Sequence, residues 1–263
     1  MTQELPSAPE YPTGRNLLAG KRVLITAAAG TGIGHSTARR CLEEGATVFV
    51  SDIHERRLGE AVERLKALGS GVAGGRVCDV TREADVRALV DTAISTLGGV
   101  DVLVNNAGLG GSAAVVEMTD DQWHKVLDVS LTSVFRMTRA ILPHMYARGS
   151  GAIVNNASVL GWRAQALQSH YAAAKAGVMA FTRCAAVEAA EHSVRINAVA
   201  PSIAMHEFLN RVTSDELLTE LRRREAFGRT AETWEVANVI VFLASDLASY
   251  MTGEVVSVSS QRA

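Results

Sequence analysis

The sequence has little cysteine, and its three cysteines are scattered. Cys41, Cys78 and Cys184 form no Cys-x-x-Cys pair and leave an odd count. A disulfide framework or a zinc site would need closer and more regular spacing. We therefore expect a reducing compartment, the cytoplasm, and no metal centre.

An excess of one charge and long apolar runs are also absent. Lys and Arg number 26 against 28 Asp and Glu, which indicates no basic surface for nucleic acid. No run of about 18 uncharged apolar residues occurs, and the N-terminus lacks the basic-then-apolar pattern of a secretion signal. We expect no nucleic-acid or membrane partner, and a small metabolite or cofactor as the ligand.

Proline is scarce and unevenly placed. Three of the five prolines fall within the first twelve residues. Residues 1–16 are therefore expected to form a flexible lead-in. No proline-rich or serine-rich linker interrupts residues 17–263, which we interpret as one domain.

What the chain does contain is a regular alternation of short β-branched runs and longer helical patterns. The predicted strands are KRVLIT, ATVFVSD, GRVCDV, VDVLVNN, GAIVNNAS, VRINAVA and EVVSVS. The predicted helices include residues 33–44, 54–68, 82–97, 120–148, 170–191 and 232–245. Nearly continuous apolar strands between helices are typical of a parallel sheet covered on both faces. The pattern predicts an α/β, doubly wound Rossmann fold with seven parallel strands.

The first predicted strand leads into TAAAGTGIG, residues 26–34. Gly30, Gly32 and Gly34 can form a turn that lets the backbone approach a pyrophosphate at a helix N-terminus. Many strand-to-helix connections carry glycine only for backbone geometry, so both interpretations stay open. Ala27 stands where a dinucleotide-binding turn usually has glycine.

Asp52 ends the second predicted strand, 20 residues after Gly32. A carboxylate there can accept hydrogen bonds from ribose hydroxyls and repel a 2′-phosphate, which favours NAD over NADP. The alternative is that Asp52 caps the following helix.

Tyr171 and Lys175 are four residues apart on a predicted helix, so the phenol and the ammonium share one face. A neighbouring positive charge favours the phenolate and lowers a tyrosine pKa. Such pairs are commonly structural. Ser158, 13 residues earlier at the end of a predicted strand, favours a functional pair because its hydroxyl can reach the same pocket.

With these motifs in place, the chain resembles the short-chain dehydrogenase/reductase family over residues 17–259. The matching motifs are the glycine turn, Cys78-Asp79-Val80, Asn105-Asn106-Ala107-Gly108, Ser158, Tyr171-xxx-Lys175, Arg195-Ile-Asn197-Ala-Val-Ala-Pro201 and Ser249-Tyr250-Met251-Thr252-Gly253. The resemblance implies hydride transfer between C4 of a nicotinamide and a carbinol or carbonyl carbon.

The resemblance also implies a role for each matching residue. Tyr171 would act as general acid or base, Ser158 would be its hydrogen-bond partner, and Lys175 would lower the tyrosine pKa and hold the nicotinamide ribose. The implied cofactor contacts are Gly30, Thr31, Gly32, Ile33, Gly34, Asp52, Asp79, Val80, Asn106, Ala107, Gly108, Tyr171, Lys175, Pro201 and Ile203.

The sequence departs from the family pattern at several positions. Ala27 replaces the first glycine of the turn, and one residue is added before Gly32. Ser130 replaces the active-site asparagine, so we count Ser130 as a candidate catalytic residue and question the proton relay. Ser202 replaces the glycine after Pro201.

The segments TAAAGTGIG, NNASVLGWRAQ, SHYAAAKAGVMA, VAPSIA and EAFGR resemble an actinobacterial branch of the family that acts in steroid breakdown. That branch implies a bulky alicyclic alcohol or ketone carried as a CoA thioester. Residues 202–229 would form a substrate loop with His206, Phe208 and Leu209 in an apolar lid. Residues 222–224, three arginines, could reach CoA phosphates, although a solvated helix face is the favoured alternative.

Small residues dominate 172–190, which would allow close packing against a second subunit, and the family usually forms homotetramers. An alanine-rich helix buried in its own monomer is the alternative. Two other functions compete with the steroid assignment. One is a 3-oxoacyl thioester reductase of fatty-acid type, although that activity usually uses NADPH and Asp52 predicts NAD. The other is a non-catalytic nucleotide-binding scaffold, which the change at Ser130 motivates.

Overall fold

The computed structural model describes residues 7–69, 71–205 and 215–260. The strands are β1 Arg22–Ile25, β2 Thr47–Asp52, β3 Val72–Val77, β4 Val102–Asn105, β5 Gly151–Asn156, β6 Val194–Pro201, β7 Ala204–Met205, β8 Ala231–Glu232 and β9 Val255–Val258. The helices are α1 Ile33–Glu43, α2 Glu55–Lys66, α3 Glu83–Leu97, α4 Asp120–Leu127, α5 Ser133–Arg148, α6 Ser169–Ala190, α7 Asp215–Arg224 and α8 Thr233–Ala244.

Seven strands form one parallel sheet in the order β3-β2-β1-β4-β5-β6-β9. Strand β1 pairs with β2 on one side and with β4 on the other, so the strand order reverses between β1 and β4. A ligand crevice forms at such a reversal, outside the carboxyl ends of the strands. The predicted doubly wound α/β fold with seven parallel strands is confirmed.

Successive residues of β1 point to opposite faces of the sheet, and both faces are covered. Val23 and Ile25 pack in a cluster with apolar residues of α1, α2 and α8. Leu24 packs in the opposite cluster with residues of α3, α5 and α6. Burial on both faces explains why the strand is apolar throughout rather than alternating.

Strand β3 begins three residues before its predicted position. The prediction began at Gly75, because the glycines of VAGGRV weaken any strand pattern. The glycines are needed because α2 lies close to this edge strand. A Cβ on Gly75 would lie 2.9 Å from the Val50 carbonyl oxygen and 3.1 Å from side-chain carbons of Leu58 and Val62.

The long helix predicted over residues 120–148 contains a local distortion. A π-helical turn, Asp128–Thr132, separates α4 from α5, and Ser130 lies buried at its centre. Such turns bend a helix and are frequent at functional sites. A two-stranded pairing of β7 with β8 was not predicted.

The described part of the lead-in, residues 7–16, contains no helix or strand but contacts the domain. The Tyr11 hydroxyl donates to Glu43 Oε2 at 2.6 Å, and its ring packs edge-on against Trp234. Among the described helices, none is both long and apolar enough to cross a membrane.

Candidate active site

The loops that follow β1 and β4 are held together by one hydroxyl group. Thr26 Oγ1 accepts from the backbone N–H groups of Asn106 and Ala107 at 3.0 and 3.1 Å. The Asn106 side chain donates in return to the carbonyl of Ala27 at 3.0 Å. The predicted cofactor segments 26–34 and 106–108 therefore form one surface at the strand reversal.

The glycine turn brings the start of α1 into close contact with the loops after β1 and β4. A Cβ on Gly34 would lie 2.4 Å from both the Ala27 oxygen and the Asn106 side-chain nitrogen, so only glycine fits there. No side chain in the described part of the chain caps α1 at Gly32, which leaves the first N–H groups of the helix for a phosphate. Thr31 is exposed on the same turn.

Ala27 has a left-handed backbone, with φ of 53°. The residue before the turn therefore adopts the conformation that glycine tolerates best, although it carries a methyl group. The conformation costs an alanine roughly 1 kcal/mol. Ala27 is thus a strained substitute for glycine at this position.

The Asp52 carboxylate lies at the end of β2, beside the glycine turn. Its Oδ2 accepts from the Ala29 N–H at 3.2 Å and its Oδ1 from the His54 N–H at 3.1 Å. The helix-capping alternative is not supported, because His54 is the N-cap of α2 and no side chain of the described residues caps that helix. Burial raises the Asp52 pKa, and the hydrogen bond from Ala29 partly offsets that rise. Each oxygen keeps a further lone pair for a ribose hydroxyl.

Asp79 and Val80 follow β3 on the adenine side expected from the family. The Asp79 Oδ1 atom accepts from the Thr81 N–H at 2.9 Å and the Thr81 hydroxyl at 2.7 Å. Val80 is buried. At the other side of the site, Pro201 ends β6, and Ile203 accepts from the Ala231 N–H at 2.9 Å.

Ser158, Tyr171 and Lys175 come together beyond the carboxyl end of β5. The Ser158 hydroxyl accepts from the Leu160 N–H at 3.2 Å and lies close enough to the Tyr171 phenol to lower its pKa, and Lys175 Nζ lies 5.6 Å from the centroid of the tyrosine ring. Lys175 Nζ donates to the backbone oxygen of Asn156 at 2.5 Å. Strand β5 therefore positions the serine and the lysine, and α6 supplies the tyrosine and the lysine on one face.

The ionisation of the pair is governed by burial. Burial raises the pKa of the Tyr171 phenol, and the hydrogen bond with Ser158 only partly offsets it. Burial also lowers the pKa of Lys175 to about 8. The net direction of the Tyr171 pKa shift is opposite to the lowering expected from Lys175, because burial of the phenol prevails. The chain's own groups keep the phenol protonated at neutral pH.

Ser130 contacts the loop after β4 rather than the lysine. Its Oγ accepts from the Leu109 N–H and donates to the Leu109 carbonyl, both at 2.9 Å. A hydroxyl can do both, as the donor and acceptor of a carboxamide can. A Cβ on Gly108 would lie 3.4 Å from Lys175 Nζ and 3.9 Å from Ser130 Oγ, so the two groups flank Gly108.

Sequence reasoning missed a buried polar chain beneath the site. The Asn105 side chain donates to Asn155 Oδ1, and the Asn155 side chain donates to Thr182 Oγ1, both at 2.9 Å. Above it, the Asn156 side chain donates to Asn106 Oδ1 at 3.0 Å. The signal was the repeated Asn-Asn at the ends of two adjacent strands, of which only the first pair was singled out.

The substrate loop is described only in part. His206, Phe208 and Leu209, the predicted lid residues, lie outside the described residues. On α7, Arg224 forms an ion pair with Glu220, while Arg222 and Arg223 are exposed. Within the described ranges, no three His, Cys, Asp or Glu side chains are grouped so that they could hold a metal ion.

Comparison with known proteins gives concordant matches over nearly the whole chain. Residues 27–260 match the family model described as enoyl-(acyl carrier protein) reductase. A (5R,7aS)-5-hydroxy-7a-methyl-1-oxo-2,3,5,6,7,7a-hexahydro-1H-indene-carboxyl-CoA reductase of Mycobacterium tuberculosis is 64% identical over 98% of each chain. A 3-oxoacyl-(acyl-carrier-protein) reductase of Thermotoga maritima is 39% identical over 92% of this chain and 97% of its own. A crystal structure of a short chain dehydrogenase from Mycobacterium smegmatis superposes with a TM-score of 0.87 at 59% identity, covering 98% of this chain and 99% of that one.

Proposed function

Because the chain belongs to the short-chain dehydrogenase/reductase family of nicotinamide-dependent oxidoreductases, we propose that it uses NAD(H) to interconvert a secondary alcohol and a ketone on a bulky, steroid-derived alicyclic acyl-CoA. The single observation that carries this proposal is the grouping of Ser158, Tyr171 and Lys175 beyond the carboxyl end of β5. The three groups stand where the strand order opens a crevice.

The pair can move a proton to or from one substrate oxygen. In reduction, the protonated Tyr171 phenol donates to the oxygen that becomes the alcohol, and in oxidation it takes that proton back. The Ser158 hydroxyl is placed to hydrogen-bond the same oxygen, and Lys175 supplies positive charge beside the phenol. The cofactor, when bound, supplies or accepts the hydride.

The residues that would hold the cofactor suit its chemistry. The uncapped start of α1 and the open surroundings of Gly30 suit a pyrophosphate, because free N–H groups lie beside a backbone that no side chain of the described residues covers. The Asp52 carboxylate suits an unphosphorylated ribose and repels a 2′-phosphate. The preference for NAD over NADP rests on this one carboxylate.

The substrate class rests on the M. tuberculosis relative, whose name specifies an indene-carboxyl-CoA. The exposed Arg222 and Arg223 provide positive charge for the phosphates of such a thioester. The fatty-acid alternative is supported by a relative of only 39% identity. The scaffold alternative is disfavoured because Ser158, Tyr171 and Lys175 are all in place.

The compartment and the assembly are proposals as well. All three cysteines are free, as suits a reducing cytoplasm. Exposed positions on α6, such as Val187, leave apolar surface that a homotetramer would cover. Size-exclusion chromatography with light scattering tests the assembly, and a monomer at micromolar concentration would contradict it.

A cofactor and substrate panel on wild type and Tyr171→Phe tests the activity. We expect kcat with NAD(H) to fall by roughly 10²–10⁴-fold in the variant while NADH binding stays within about twofold. Tyr146→Phe is the matched control, because Tyr146 stacks on His192 on the outer side of the helices. Unchanged activity of Tyr171→Phe would refute the mechanism, comparable turnover with NADPH would refute the NAD preference, and NAD binding without any turnover would support the scaffold.

A further inference from the structure

The segment 109–113 crosses in front of Tyr171 and is held at both ends. Leu109 is bound through its N–H and its carbonyl to the Ser130 hydroxyl. Gly111 O accepts from the Gln168 side chain at 2.6 Å, and the Ala113 N–H donates to the backbone oxygen of residue 167 at 3.1 Å. The segment cannot move aside without breaking several of these bonds.

The two glycines of this segment face different surroundings. A Cβ on Gly111 would lie 2.8 Å from Nε2 of His170, a buried ring, so Gly111 faces the fold. Among the described residues, a Cβ on Gly110 would meet only the Tyr171 ring, with Cδ2 at 3.9 Å and no other described heavy atom within 4 Å. Gly110 is exposed, and its backbone is not left-handed. Because Gly110 has no side chain, it leaves the space beside the Tyr171 phenol open.

We infer that Gly110 determines how bulky a substrate ring can be at the catalytic tyrosine. The reacting oxygen has to come within about 3 Å of the phenol, so the ring carbons next to it occupy the space beside Tyr171. The segment is fixed, so a side chain at position 110 would fill that space instead of displacing the backbone. This inference rests on the proposed function. It assigns to Gly110 the role of leaving room for a fused bicyclic substrate.

Gly110→Val and Gly110→Ala test the inference with two CoA thioesters, one of a hydroxylated bicyclic indane acid and one of a hydroxycyclohexane carboxylic acid. We expect Gly110→Val to lower kcat/KM for the bicyclic thioester at least tenfold more than for the monocyclic one, since pocket misfits of one or two methyl groups change specificity by about 10–200-fold. Gly110→Ala should change the same ratio in the same direction by a smaller factor.

Gly111→Ala is the matched control, because its methyl group would displace His170 and the segment as a whole. It should lower kcat/KM for both thioesters by similar factors. An equal loss for both thioesters in Gly110→Val would overturn the inference while wild-type turnover left the proposed function intact. If wild type turned over neither thioester, the proposed function would fail. The role of Gly110 would then be tested by calorimetry, which measures the affinity of wild type and Gly110→Val for the bicyclic thioester. Equal affinity of wild type and Gly110→Val would then overturn the inference as well.

Discussion

Asp101 at the amino ends of the sheet and the groups of the candidate site at the carboxyl ends respond to burial in opposite ways. At the amino ends, the Asp101 carboxylate accepts from the backbone N–H, Nε and Nη2 of Arg22 at 2.8, 2.7 and 2.8 Å, and from Nη2 of Arg148 at 2.5 Å. These partners outweigh burial and lower the Asp101 pKa to about 2. The charge is fully compensated within the chain.

At the carboxyl ends, burial prevails over partners. It raises the pKa of Asp52 and Tyr171 and lowers that of Lys175 to about 8, so each group is shifted towards its neutral form. Groups shifted towards their neutral forms have few partners within the chain and can still interact with a ligand, whereas a carboxylate already bound by two arginines cannot. The comparison sets Asp52, Tyr171 and Lys175 apart from Asp101 by the effect that prevails at each group.

The largest effect is expected at Lys175. Lys175→Met should lower kcat by roughly 10²–10⁴-fold, because the buried positive charge beside the phenol is lost.

The same variant should change how the free energy of unfolding depends on pH. The folded pKa of about 8 lies below the unfolded value, so wild type gains stability as pH rises from 8 towards 10.5. Relative to the variant, wild type should gain about 2 kcal/mol between pH 7 and pH 10.

Urea unfolding at the two pH values measures that gain. Lys66→Met is the matched control, because Lys66 is exposed on α2 beside Glu63 and should show no such pH dependence. A constant stability difference between wild type and Lys175→Met would mean that Lys175 is not held in a destabilising environment. The contrast between the two ends of the sheet would then fail.

The next effect is expected at the amino ends. Asp101→Asn should destabilise the fold by about 2 kcal/mol at pH 7, because the depressed pKa of Asp101 contributes stability above the unfolded value and loses it as pH falls towards 2. Turnover should stay within about twofold. Urea unfolding and steady-state kinetics check both statements, with the exposed Asp91→Asn as control. A large loss of turnover at unchanged stability would show that the two ends are coupled.

The features of the fold and of the candidate site that depend on local patterns could be predicted from the sequence. The strands, the helix carrying Tyr171 and Lys175, and the position of Ser158 follow from hydrophobic periodicity and strand ends. The carboxyl-end location of the site follows from the parallel topology. The start of β3 could not be predicted from the sequence, because glycine has a low strand propensity and is required there by the close approach of α2.

The remaining features depend on contacts between distant segments. The sequence marks Ser130 as a candidate catalytic residue, but it does not reveal that the hydroxyl binds Leu109, 21 residues away in sequence. The direction of the Tyr171 pKa shift depends on burial, which the spacing of tyrosine and lysine does not reveal. Gly110 carries no signal in the sequence, because its position beside the Tyr171 ring depends on the tertiary fold.

Asp52 offers the third test of the comparison. Asp52→Asn keeps an acceptor for the Ala29 N–H but removes the negative charge, whereas Asp52→Ala removes both. We expect the ratio of kcat/KM with NADPH to that with NADH to rise about tenfold in both variants, in line with roughly 1.4 kcal/mol of lost repulsion. A rise in Asp52→Ala alone would mean that Asp52 acts by holding the turn and not by its charge.

The smallest effect is expected at Ser130, where two roles can be separated. Ser130→Ala leaves the N–H and the carbonyl of Leu109 without their partner, at a cost of about 1 kcal/mol. If the hydroxyl only holds the loop, KM for the alcohol should rise about fivefold and the pH dependence of kcat should stay the same. Ser130→Asn can restore both hydrogen bonds and should recover KM. A shift in the pH dependence of kcat in Ser130→Ala would instead place the hydroxyl in the proton path to Lys175. Holding the loop would then not be its only role.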